Sequence, residues 1–129
     1  PLARGVLLVK HDPNVGGFMQ ELRSGWGLQV VLDRDPLRAA RRLTAADQPF
    51  DVLLTDQTMP GMTGLALARH ATHQRPGLPV LLYTGNASDI AEHELAACGI
   101  SHQVRKPVEA NALRRLLADL LGMQETARP

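Results

Sequence analysis

Five short runs of β-branched or Leu-rich residues punctuate the chain: Val6 to Val9, Leu28 to Leu32, Val52 to Leu54, Val80 to Tyr83 and, more weakly, His102 to Arg105. Each is too short for a helix. Four are almost uninterrupted apolar stretches, the pattern of strands buried on both faces in a parallel sheet covered by helices. Between the runs the spacing becomes helical. Pro36 to Ala46 carries Leu37, Ala40 and Leu43; Leu65 to His73 is rich in Ala and Leu; Asp89 to Cys98 places Ile90, Leu95 and Ala97; Ala110 to Leu121 is the clearest amphipathic stretch. Asn14 and Ser88 are expected N-caps, Gly99 a C-terminal stop, and Pro60-Gly61 and Pro76-Gly77 turn signals. The weakest helical segment is Asn14 to Gly25, where Gly16 and Gly17 each cost a helix about 1 kcal/mol relative to Ala.

Strand-helix alternation repeated through one domain implies right-handed crossovers and a parallel sheet between helices. In such a sheet function gathers in the loops beyond the carboxyl ends of the strands. Here those loops hold Lys10-His11-Asp12-Pro13, the run from Asp56 to Gly64, Thr84-Gly85 and Lys106-Pro107. A strand-end carboxylate such as Asp56 can attack phosphorus if its own charge and that of the phosphate are offset. Lys106 offers a compact cation and Thr84 a hydroxyl donor for phosphate oxygens. Taken singly, these are an ordinary turn residue, a solvated surface charge and a strand residue. Their joint placement at the ends of three parallel strands is what points to a site.

At 129 residues the chain has the size of one domain, expected to span 1–129 with a core of about 5–121. Apolar residues make up 44% and charged residues 21%, as in ordinary globular proteins, and no stretch approaches the roughly 20 apolar residues of a membrane span. A net charge of +1 with both signs interspersed gives no basic stripe, so direct nucleic-acid contact is not expected. The single cysteine, Cys98, cannot form an internal disulfide and reads as a small buried thiol. With no signal-peptide pattern, a reducing, cytoplasmic setting without membrane contact is expected. The start at Pro1 rather than Met suggests a piece of a longer protein. His70 and His73 lie three apart, but with His93 and His102 they form no ligand set, and metal binding there is discarded. A flavodoxin-like or phosphatase enzyme would need a Gly-rich phosphate cradle or a second catalytic acid near Asp56, and neither is present.

From about Val6 to Leu121 the chain resembles the response-regulator receiver family. The resemblance rests on Asp56 followed by Met59-Pro60-Gly61-Met62-Thr63-Gly64, then Thr84, then Lys106-Pro107. It implies a doubly wound (βα)5 α/β domain of flavodoxin-like type with strand order 2-1-3-4-5. It further implies that Asp56 accepts a phosphoryl group from a phosphohistidine on a histidine kinase or histidine phosphotransfer domain, with Thr84 and Lys106 touching the phosphate. Such a domain is regulatory rather than enzymatic, at most catalysing its own phosphotransfer and dephosphorylation. The face of the fourth helix, fifth strand and fifth helix would report the change and could pair two copies. The wording Thr55 to Pro60 looks most like receivers attached to hybrid sensor histidine kinases.

The sequence departs from the family in two places. Receivers carry two acids after the first strand, which with the phosphoacceptor and a backbone carbonyl two residues beyond it, here Thr58, hold Mg²⁺; this chain has Lys10 and His11. Magnesium wants oxygen ligands, which neither side chain supplies. Asp12 would join Asp56 as a ligand only if the loop shifted by one residue. Lys10 could instead pair with Asp56 and take the metal position, or point to water. The second departure is Gln103, at the switch position where many receivers have Tyr or Phe; Tyr83, next to Thr84, should face the other side of the sheet and pack. Two readings follow: a working phosphoacceptor, or a pseudo-receiver that serves as an interaction module without metal-assisted phosphorylation.

Overall fold

The computed structural model describes residues 4–11, 28–45, 49–84, 90–105 and 110–121. Five strands form one sheet: β1 (Arg4–Val9), β2 (Leu28–Asp33), β3 (Val52–Asp56), β4 (Val80–Thr84) and β5 (His102–Arg105). Their order is β2-β1-β3-β4-β5 and every pairing is parallel, as the unbroken apolar runs predict. Four helices are described: α1 (Pro36–Thr44), α2 (Gly64–Gln74), α3 (Glu92–Ala97) and α4 (Ala110–Leu121). The helical segment expected over Asn14 to Gly25 and the caps at Asn14 and Ser88 lie outside the described residues.

Alternation along the strands sorts the core into two layers. Val6, Leu8, Val52, Leu54, Leu81, Tyr83 and Val104 pack with Leu113, Leu117 and Leu121 of α4 on one face. Leu7, Val9, Leu53, Val80 and Leu82 pack with Ala39 and Leu43 of α1 and Leu67, Ala68 and Ala71 of α2 on the other. Each fully buried Leu contributes roughly 2 kcal/mol through area removed from water.

The helix ends follow local chemistry. Asp35 caps α1 by accepting from the Leu37 amide, with Pro36 at the first helical position. Thr63 caps α2 by accepting from the Ala66 amide. Gly99 takes φ +80, and the Ile100 amide reaches back to the Leu95 carbonyl, so the expected stop at Gly99 is present. Two details differ from the sequence expectation. Leu37 is exposed, and the buried stripe of α1 is Pro36, Ala39, Ala40 and Leu43. Helix α3 begins at Glu92 rather than near Asp89 and has no buried residue, with Leu95 half-buried and Ala97 exposed. Ala91 supplies no side-chain cap to start it earlier.

Candidate functional site

The carboxyl ends of β1, β3 and β4 meet at the centre of the sheet. Val9 pairs with Thr55 and Asp56 with Tyr83, so Lys10, Asp56 and Tyr83 follow one another across three adjacent strands. All three are buried: Lys10 is 5% exposed, Asp56 3% and Tyr83 7%. A lysine is almost never so buried unless it is paired. Here the Lys10 Nζ lies 3.7 Å from Asp56 Oδ1 and 4.0 Å from the centre of the Tyr83 ring. The Lys10 amide donates to the Asp33 carbonyl, extending the β1–β2 ladder and fixing the root of the side chain. At 3.7 Å the attraction is worth roughly 4 kcal/mol before desolvation, at an effective dielectric of about 20. The expectation that Lys10 pairs with Asp56 therefore holds, and the alternative of a lysine in water does not.

The other Asp56 oxygen, Oδ2, accepts from the His11 amide at 3.4 Å, while the His11 residue is exposed. The loop after Asp56 is tied down by Gln57. Its amide donates to the Tyr83 carbonyl, its carbonyl accepts from the Gly64 amide, and its Oε1 accepts from the Leu65 amide at 2.9 Å. Gly64 is required by crowding, because a Cβ there would run into the Asp56 carbonyl and the Leu82 side chain. Gly61 sits at φ +88 in the turn. The run from Asp56 to Gly64 thus owes Gly64 to the closeness of α2 to the end of β3, and Gly61 to the left-handed backbone of its turn. Thr58 is exposed in this loop.

On the neighbouring strand Thr84 is 1% exposed, one residue beyond the partner of Asp56. Its hydroxyl oxygen accepts from the Gln103 side-chain amide at 3.1 Å, which leaves the hydroxyl proton available to donate. In the sequence Gln103 shows only as an absent aromatic, and its bond to Thr84 leaves no local signal because it joins two strands. Tyr83 packs on the face opposite Thr84 as expected, and it also lies beneath Lys10. Asp12 and Lys106 lie outside the described residues.

Sequence reasoning also passed over Asp33, which is 1% exposed at the end of β2. Its carboxylate accepts from Arg38 Nε at 3.0 and 3.2 Å, from Arg42 Nε at 2.8 Å and from the Asp35 amide at 3.0 Å. Burial alone would raise its pKa; the Arg42, Asp35 and Arg38 hydrogen bonds and the charge of Arg38 outweigh it and hold the carboxyl below the usual range. A usable signal was present: an aspartate ending a strand, followed by two arginines four apart on a helix face.

His70 is engaged structurally, its Nε2 lying 2.9 Å from Thr44 Oγ1 and 3.0 Å from the Ala40 carbonyl. No group of His, Cys, Asp and Glu able to hold a metal occurs among the described residues. Cys98 is buried, as expected. No described helix is long and apolar enough to cross a membrane.

Comparison with known proteins agrees with the geometry. The sequence profile of the response regulator receiver domain matches residues 6–118. The response regulator protein PilR of Pseudomonas aeruginosa is 31% identical over 119 residues, covering 92% of this chain and 26% of its own length. The chain thus spans about a quarter of that relative. A CheY-like receiver domain from Methanospirillum hungatei superposes with a TM-score of 0.85 at 24% identity, covering 98% of this chain and 99% of its own. The receiver domain of the sensor histidine kinase PA1611 from Pseudomonas aeruginosa, solved with a magnesium ion coordinated in its active-site cleft, superposes with a TM-score of 0.78 at 24% identity and covers 93% and 98%. The chain belongs to the response regulator receiver domain family of two-component signal transduction.

Proposed function

We propose that Asp56 is the phosphoacceptor of this receiver, taking a phosphoryl group from the phosphohistidine of a histidine kinase or histidine phosphotransfer domain. One observation carries the reading. Asp56 is a buried carboxylate at the end of a central parallel strand, facing an ammonium at 3.7 Å. In-line attack by the carboxylate needs its charge and the phosphoryl charge to be offset, which Lys10 at Asp56 and Lys106 at the phosphate oxygens would do. The Thr84 hydroxyl would donate to a phosphate oxygen. Because Gln103 holds that hydroxyl, its movement would be felt on β5, and so at the face of α3, β5 and α4 that we assign to partner docking and to pairing with a second copy.

The residues present do not fit magnesium, the family's usual ion. Thr58 offers one carbonyl, but Lys10 and His11 bring no oxygen ligand, and the Lys10 ammonium already stands against Asp56. Asp12 as a substitute ligand would require the loop to shift. We assign the site to a longer signalling protein of the cytoplasm, the single thiol suiting a reducing compartment, with a hybrid sensor kinase as the parent that the run Thr55 to Pro60 favours.

Incubation with a phosphorylated phosphotransfer domain carrying radiolabel tests the assignment. Label should pass to wild type and not to Asp56→Asn. Equal labelling of both proteins would remove Asp56 from the role.

A further inference from the structure

We propose that Lys10 is a built-in cation, its ammonium filling the place beside Asp56 that a divalent ion would take, so that phosphoryl transfer to Asp56 proceeds without a metal. This rests on Asp56 being the phosphoacceptor, and the geometry argues for it on three sides. Lys10 follows directly on β1, with its amide held by the Asp33 carbonyl, so the side chain starts from a rigid root. The Asp56 carboxylate lies on one side of Nζ at 3.7 Å, and the π face of Tyr83 lies on another at 4.0 Å. The ring gives the ammonium a second attractive surface in a space where water is scarce, and cation–π attraction grows as water leaves. Tyr83 is also the register partner of Asp56, so the ring and the carboxylate are placed by the same β3–β4 ladder. An ammonium so enclosed cannot be pushed aside by a dication without breaking both contacts, and the dication would gain no carboxylate from positions 10 and 11 in return.

In the transfer step an Asp56 carboxylate oxygen forms the new O–P bond. The P–N bond of the phosphohistidine breaks and its electron pair returns to that ring nitrogen, while a proton carried on the other imidazole nitrogen lets the donor leave as neutral histidine. Lys10 needs no change of protonation; it stays charged and offsets the negative charge that the carboxylate and phosphoryl oxygens share. Tyr83 acts as a positioning residue, holding Nζ toward Asp56.

Two measurements test this on the whole chain. The first is a magnesium titration of unphosphorylated protein followed by NMR of the Tyr83 ring, the Lys10 side chain and the Asp56 and His11 amides. Wild type should show no saturable change, whereas Lys10→Asp, His11→Asp should show one, since oxygen ligands and negative charge return together. The second is the rate of phosphoryl gain from phosphoramidate, read by intact mass with magnesium and with chelator. The two wild-type rates should agree, while the double variant should lose about tenfold or more on chelation. Lys10→Met should lose metal-independent transfer. Saturable magnesium binding at Asp56 in wild type, or a wild-type rate abolished by chelator, would overturn the proposal, and either result stands even if the double variant does not fold. If no protein gains a phosphoryl group under any condition, the phosphoacceptor assignment and metal-free transfer fall together, and the titration alone decides whether Lys10 excludes the ion.

Discussion

Two buried aspartates end parallel strands in this domain, and each faces cations, yet they are held differently. Asp33, at the edge of the sheet, is gripped by hydrogen bonds of 2.8 to 3.2 Å from Arg38, Arg42 and the Asp35 amide. Asp56, at the centre, meets the Lys10 ammonium at 3.7 Å and the His11 amide at 3.4 Å. Guanidinium forks grip a carboxylate directionally, while an ammonium neutralises it as a point charge without fixing its lone pairs. The difference separates a carboxylate used as a fastener from one that, in the role proposed for it, must act as a nucleophile. The first ties helix α1 to strand β2 through Arg38 and Arg42.

The largest expected effect falls on Asp56. Asp56→Asn should abolish phosphoryl acceptance, whereas Asp33→Asn should retain it, both read by intact mass after incubation with phosphoramidate. Loss of acceptance in both proteins would erase the functional contrast. Removing Lys10 comes next. Lys10→Ala leaves the buried Asp56 charge without the ammonium and should cost on the order of 3 kcal/mol in chemical denaturation. A cost near zero would mean that the ion pair contributes little.

Asp33→Asn should cost about 2 kcal/mol, because charge-assisted hydrogen bonds to Arg38 and Arg42 are lost while the partly exposed arginines recover water. This contribution has a definite pH dependence. The folded-state pKa of Asp33 is lowered, so its stabilisation is fully present above the unfolded value of about 3.9 and disappears as pH falls through the folded value. The gap in unfolding free energy between wild type and Asp33→Asn should therefore narrow on acidification below about pH 4. A gap that widened with acid would contradict the Arg-fastened reading. The smallest effect is expected at Gln103. Gln103→Ala should cost about 1 kcal/mol or less and shift the Thr84 resonances, because one hydrogen bond is lost at a half-buried position.

The sheet was legible because its strands are buried on both faces and so appear as unbroken apolar runs. Where a strand ends in polar residues the signal stopped early. Thr55 and Asp56 belong to β3 and Asp33 to β2 through ladder hydrogen bonds, which hydrophobicity does not report. The Lys10–Asp56 pair was legible from the position of Lys10 directly after a central strand. The place of Tyr83 was only half legible. Alternation assigned it to the face opposite Thr84, but that the same face carries Lys10 and Asp56 depends on the register between β1, β3 and β4, which is fixed by non-local packing. The Gln103–Thr84 bond was hidden for the same reason, since it joins β5 to β4 across the sheet.

The central claim, that the Asp56 carboxylate is the atom group that takes the phosphoryl, is tested most directly by trapping the acyl phosphate. Borohydride reduces an aspartyl phosphate to homoserine, and tandem mass spectrometry of the digested protein then reads the position of that residue. Homoserine at position 56, formed only after exposure to a phosphodonor, is the predicted result. Homoserine at another aspartate, Asp33 included, or none at position 56 after the intact protein has gained a phosphoryl group, would contradict it.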